Sequence, residues 1–327
     1  KEGRRDARIT RQRLGNLISY DWLKMLGTIL AFVLVLVLLF TMTATRPRQD
    51  QEYGIYAYTD VQAGENFSDL GDALMEKKVF SYDVLTATAE SFAGNSYADS
   101  VFQARRAAGQ GTVMFMTDNP TYETDENGEY VLDENGQPKI AEQSQLYNFA
   151  GGSAVHADAS APAAIYDTEY YLALCEDYLA EFFGADWETD DAFDGTTSPE
   201  QSFTRRNDKD KRYRAAEQKA MGVEEEKARL KKLREDYLFV RGVFEDGTLS
   251  HTAYDFEEED GSVRTLHLGI DVGGLNGLKD LVCYTDSEGK RTTENINLVV
   301  LYNSYLFGED LNFETVSFLR YLVETYR

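Results

Sequence analysis

From Met25 to Thr45 the chain carries no charged residue, and Leu26 to Phe40 is almost wholly aliphatic. A helix of that length crosses about 30 Å of hydrocarbon, and a helix satisfies every backbone polar group within the segment, as lipid requires. The run is therefore expected to be one transmembrane helix, residues 25–45. It is longer than the apolar core of a secretory signal, and Thr43-Ala44-Thr45 offers poor cleavage chemistry, so the segment is expected to be retained. No cysteine follows closely to accept a lipid.

Orientation follows from the flanking cations. Seven precede the span (Lys1, Arg4, Arg5, Arg8, Arg11, Arg13 and Lys24), whereas only Arg46 and Arg48 follow it closely. Cations are held on the cytoplasmic side, so residues 1–24 are expected inside, with a short linker, 46–52, and an extracytoplasmic domain, 53–327, on the far side of the cell membrane. Residues 1–24 are net +4 and residues 25–45 uncharged, so of the chain's net −24 the outer part carries −28. A surface of that sign repels nucleic acid and anionic lipid, which excludes nucleic-acid binding. With 43% hydrophobic residues, 21 Tyr and 18 Phe, the outer part nevertheless has the material of a core.

The outer part reads as α/β. Tyr53-Gly54-Ile55-Tyr56-Ala57-Tyr58-Thr59 is a first strand. Helices are expected at Asp69–Lys77, capped by Ser68, at Tyr82–Phe92, capped by Ser81, and at Tyr97–Ala108, closed by Gly109. Thr112–Thr117 is apolar on both faces, as a strand covered by helices must be. Between 121 and 141, Asn127-Gly128 and Asn135-Gly136 predict tight turns of a β-hairpin insertion; both pairs suit paired positive φ angles. Gly151–Ala164 is loop-like, and Asp167–Phe183 has helical periodicity. Ser198-Pro199-Glu200-Gln201 opens a helix with a capping box, and Gly222 divides it from another, Val223–Tyr237. The basic cluster from Arg205 to Lys219 is expected to form internal ion pairs. Asp260-Gly261 joins two strands, Leu281–Tyr284 and Ile296–Tyr302 are further strands, and a helix capped by Asn312 spans Phe313–Tyr326.

Chemistry is sparse. Gly151-Gly152-Ser153 lacks the closing glycine and preceding strand of a nucleophile elbow, the histidines His156, His251 and His267 have no metal-ligand spacing, and no phosphate loop is present. Asp125, Asn127 and Glu129 lack the glycine and twelfth-position glutamate of a calcium loop. The chain is expected to be non-enzymatic and to need no cofactor or metal. Cys175 and Cys283 are open to pairing or to separate burial.

Two segments resemble the substrate-binding proteins of ABC transporters, in the type II periplasmic-binding fold. Phe102–Met116 is similar to the helix, small-residue turn and buried strand that follow the first βα unit there, and Leu298–Ser304 with Glu314–Leu322 looks like the closing strand, Asn-Ser turn and helix. The chain is also similar to single-pass membrane proteins of Gram-positive, clostridia-like bacteria. The resemblance implies a two-lobed mixed-sheet domain, a reduced type II periplasmic-binding-like fold. It further implies a membrane-tethered, non-catalytic solute-binding-like protein whose partners are a small solute or an envelope or transporter protein. The alternative is an envelope accessory protein with a degenerate cleft. Ligand contacts are expected after strand ends, at Tyr58, Asp60, Thr117, Asp118 and Asn303. The strands Tyr53–Thr59 and Thr112–Thr117 should then be neighbours, with Asp60 and Asp118 at one edge.

Overall fold

The apolar run and its flanks form one helix, α1 (Arg11–Thr43), within which Trp22–Phe40 is long and apolar enough to cross a membrane. This computed structural model describes residues 11–43, 47–48, 51–94, 96–156, 164–207, 210–258, 260–302 and 313–327. Residues Pro47–Arg327 form a compact unit separate from the N-terminal one. The unit starts inside the expected linker. Arg48 Nη2 donates to the Arg206 carbonyl (3.3 Å), and the buried Gln51 donates to Asp210 Oδ2 (3.1 Å).

A six-stranded mixed sheet organises this unit. Its strands are β1 (Glu52–Ala57), β3 (Thr86–Ser91), β4 (Val113–Thr117), β7 (Ser250–Glu257), β8 (Val263–Asp271) and β11 (Ile296–Val300), in the order β3-β1-β4-β11-β8-β7. β1 runs parallel to both β3 and β4, as neighbours, and β11 lies antiparallel between β4 and β8. The expected pairing of the first strand with the apolar one is thus present. Two small sheets complete the strands: β2 (Gln62–Ala63) with β9 (Val282–Thr285) and β10 (Arg291–Thr292), and β5 (Thr121–Tyr122) with β6 (Ile140–Glu142). A second lobe with a large sheet of its own, as the two-lobed expectation required, is not present among the described residues.

Strand alternation divides the core. On one face Tyr53, Ile55, Val113 and Phe115 meet α2 (Leu70–Glu76), α5 (Thr168–Phe183), α7 (Ala216–Glu245) and α8 (Thr315–Tyr326). On the other face Tyr56, Met114 and Met116 meet α3 (Ala98–Ala107) and α4 (Gln145–Ala150). Each large apolar side chain so buried contributes about 1.5–3 kcal/mol. β1 approaches the turn before β4 so closely that a Cβ at Gly54 would lie 2.8 Å from the Gly111 Cα, and Gly111 itself has φ +93°. Glycine at both positions is what this approach requires.

Several expectations are corrected. Tyr82–Phe92 is not a helix. Thr86-Ala87-Thr88-Ala89 alternates with period two and supplies edge strand β3, while Ser81 Oγ is drawn off to the Glu314 carboxylate. Ser68 does not cap α2; its hydroxyl donates to Asp69. Gly222 does not break a helix but lies inside α7, where a Cβ would meet the Phe203 ring at 2.3 Å, so the glycine serves helix–aromatic packing. α4 had no expectation. In the insertion only the glycines take positive φ (Gly128 +81°, Gly136 +79°). Asp125 and Asp133 instead cap type I-like turns by accepting the amides of Asn127 and Glu129, and of Asn135 and Gln137. Both pairs are in exposed turns, as expected. Asn312 lies outside the described residues. Cys175 and Cys283 are separate buried thiols, and burial pushes Cys175 up.

The capping box is as expected: Ser198 N donates to Gln201 Oε1 (2.9 Å) and Gln201 N to Ser198 Oγ (3.3 Å), opening α6 (Pro199–Asn207). So are internal ion pairs of the basic cluster. Arg206 Nε donates to Asp83 (2.8 Å) and lies 3.9 Å from Glu226, and Arg212 pairs with Asp210 (2.9 Å).

Candidate functional site

The first βα units set where a site can form. β1 leads through α2 on one sheet face to β3; β3 returns through α3 on the other face to β4, on the opposite side of β1. Winding therefore reverses between β1 and β4. In doubly wound sheets, such a reversal is where a crevice opens beyond the carboxyl ends of the strands.

Four of the five expected residues gather at this edge. Tyr58 N donates to the Phe115 carbonyl (3.0 Å), and its hydroxyl donates to Asp99 (3.3 Å). Asp60 Oδ2 accepts both the Thr117 amide (2.8 Å) and the Thr117 hydroxyl (2.7 Å), stapling the loop after β1 to the end of β4. Asp118 Oδ1 accepts the Tyr254 hydroxyl (2.5 Å), and its amide donates to the Asn295 carbonyl (2.9 Å). The fifth, Asn303, lies outside the described residues.

The electrostatics are those of partly dried acidic groups. Burial pushes Asp60 up from 3.8, outweighing the two Thr117 hydrogen bonds that lower it; its Oδ1 is shielded from solvent and has no hydrogen-bond partner. Burial, then the nearby Asp99 charge, pushes Tyr58 up to about 12. Burial, then the hydrogen bond to Asp118, pushes Tyr254 up. The carboxylates thus hold the edge together, and the second Asp60 oxygen is left with unused acceptor capacity.

Sequence reasoning missed Tyr254, Asn119 and Asn295. Tyr254 alternates with Phe256 along β7 and reaches Asp118 from the far side of the sheet, a contact with no local signature. Asn295 carried a signal: at φ +57° it adopts a conformation that asparagine tolerates, and its side chain donates to Asn119 Oδ1 (3.0 Å). The histidines also meet. The hairpin at Asp260-Gly261 brings His251 and His267 to ring centroids 5.4 Å apart, with Thr168 Oγ1 2.7 Å from His251 Nδ1. Burial, then His267, lowers His251. No group of three or more His, Cys, Asp or Glu side chains suited to a metal occurs among the described residues.

Two cavities lie elsewhere. One of about 400 Å³ is lined by Asp69, Lys77, Asp280 and Tyr321, and one of about 230 Å³ by Tyr166, Tyr170, Tyr302 and Phe313. Neither is lined by the four gathered residues. No protein-family model, curated protein or solved structure matches the chain.

Asp60 permits a clean separation of fold from site. Asp60→Ala leaves the Thr117 amide without its acceptor and is expected to cost about 1–3 kcal/mol. Asp60→Asn keeps an acceptor oxygen for Thr117 and removes the desolvated charge, so it should cost less than Asp60→Ala. A carboxyl raised in the folded state favours folding most below its unfolded value of 3.8, and that contribution is lost as pH rises through the folded pKa. Denaturant melts of both variants across that range check the ranking.

Proposed function

We propose that the chain is a single-pass cell-membrane protein with a cytoplasmic N-terminus, and that residues 46–327 form a non-catalytic, solute-binding-like module on the extracytoplasmic side. The observation that carries this reading is the convergence of Tyr58, Asp60, Thr117 and Asp118 where the winding reverses. Aromatic hydroxyls and carboxylates at such an edge suit a small polar or cationic solute. The resemblance to periplasmic-binding proteins supports the same reading, reduced to one principal sheet. A second reading, an envelope accessory protein that keeps the fold without the cleft, draws support from Thr117 and Tyr254 already occupying the Asp60 and Asp118 carboxylates.

Melting of the full chain in detergent against sugars, peptides and divalent cations separates the two. A solute at about 100 times its Kd should raise stability by about 2.7 kcal/mol, and Asp60→Asn should abolish the rise. No rise with any member of the panel favours the accessory reading; a rise that persists in Asp60→Asn sets the ligand elsewhere. Protease added to intact cells should remove the acidic domain, and full protection would overturn the topology.

A further inference from the structure

The insertion after β4 builds a self-contained unit. Glu123 N donates to the Lys139 carbonyl (2.8 Å), Lys139 N to the Val131 carbonyl (2.8 Å), and Val131 N to the Glu123 carbonyl (2.9 Å). The three chain passes therefore close a ring of backbone hydrogen bonds, and the Lys139–Glu123 ion pair (2.6 Å) crosses it. The two aspartate-capped turns fix the ends of the passes. Such an arm is preorganised by its own backbone.

Its large apolar side chains stand open to solvent. Tyr122, Tyr130, Leu132 and Ile140 are 40%, 60%, 59% and 42% exposed, whereas Tyr53 and Phe115 on the central strands of the six-stranded sheet are fully buried. Tyr122 stands opposite Ile140 in the ladder, and its ring meets that of Tyr130 edge-on at 5.6 Å between centroids. Around this patch residues 121–142 carry seven acidic side chains and one basic one. Exposed tyrosines and aliphatics on a rigid frame are the composition of an interface centre, and the acidic surround is its rim.

We propose that this arm is a docking surface for a protein partner presenting a basic surface with apolar side chains at its centre. Charge selects that occupant. A second copy would bring a like-charged arm and a like-charged domain, and an anionic membrane surface is repelled in the same way. A cationic protein gains from both the apolar patch and its acidic rim. Because the arm springs from Asp118-Asn119-Pro120, the partner would be seated beside the edge that holds Asp60 and Thr117, yet its binding does not depend on a solute there.

The test uses the full chain in nanodiscs of zwitterionic lipid, which does not itself capture cations. Two probes are titrated: a peptide alternating lysine and leucine, and an oligolysine with the same number of lysines. The native chain should bind the alternating peptide about tenfold or more tighter than oligolysine. The double variant Tyr130→Ser/Leu132→Ser should erase that preference while leaving oligolysine within about twofold. Glu126→Gln/Glu129→Gln/Glu134→Gln, which spares the turn-capping aspartates, should weaken both probes and flatten their salt dependence. An unchanged melting transition in each variant shows that the fold is intact. Equal binding of the two probes by the native chain, unchanged preference in the serine variant, or self-association lost in that variant would each overturn the proposal.

Discussion

Glu226→Ala is expected to destabilise the domain by about 3–5 kcal/mol, the range for breaking a buried ion pair. Glu226 is fully buried. Its carboxylate accepts from Arg229 (2.9 Å), Ser202 (2.6 Å) and Tyr82 (2.8 Å), and Arg229 also lies 3.8 Å from Glu314. Burial on its own pushes the carboxyl up, but the Arg229 charge and hydrogen bond, with help from Arg206 and Ser202, bring it down to about 2. Removing the anion leaves two buried guanidinium groups with less compensation than they were folded around. A triple replacement of Glu226, Arg229 and Arg206 by apolar residues of similar volume should recover much of the loss, because the desolvation cost of the ions disappears with them.

The pH dependence has a definite sign. Glu226 is lowered in the folded state, so its stabilisation is fully present above the unfolded value of 4.5 and is lost as pH falls toward about 2. Over that window the native chain should lose on the order of 3 kcal/mol that Glu226→Ala never had, so the two stabilities should converge on acidification. Urea titrations of both proteins between neutral pH and the acid limit measure this. Parallel curves would remove Glu226 from the account.

Phe102→Ala is expected to cost about 3–5 kcal/mol and to lower the melting temperature by on the order of 10 °C. Phe102 is buried at the centre of an aromatic group formed by Tyr56, Tyr58, Phe92 and Phe149, with centroid separations of 5.9, 5.7, 5.6 and 5.7 Å. It holds α3 on the second sheet face, where fewer buried residues gather than on the first. Its loss also removes one wall of the Tyr58 ring, so any solute bound at the β1/β4 edge should weaken along with the fold. Phe102→Leu retains most of the volume and should cost roughly 1–2 kcal/mol. Calorimetry on the pair decides whether packing volume sets the effect.

The parts legible in the sequence were those written in local chemistry. Ser198 and Gln201 announce α6 because a capping box is completed within four residues, and the apolar stretch from Val113 to Thr117 announces a central strand because both its faces are covered. The gathering of Tyr58, Asp60, Thr117 and Asp118 at one sheet edge was legible through a topological rule about strand ends. What failed depended on distant partners. Thr86–Ser91 contains alanines and a glutamate that favour helix, and only the open edge of β1 makes it a strand. Gly222 looks like a break until Phe203 is set against it. Tyr254 reaches Asp118 from another part of the chain, as His251 reaches His267 across a hairpin, and no spacing encodes either meeting.

The place of β11 beside β4 bears on how the domain is made. Thr117 pairs with Ile296 and Val113 with Val300, so β4 has no partner on that side until a segment about 180 residues downstream has been synthesised. At about 5–20 residues per second, that leaves its apolar edge open for on the order of 10–40 s. For that interval β1, β3 and β4 form a nascent half-sheet with a bare, sticky margin, the kind of surface that pairs with the wrong strand. Truncations ending before residue 296 should therefore be recovered as aggregates or as chaperone-bound chains, and productive folding should begin only after the last strand has emerged.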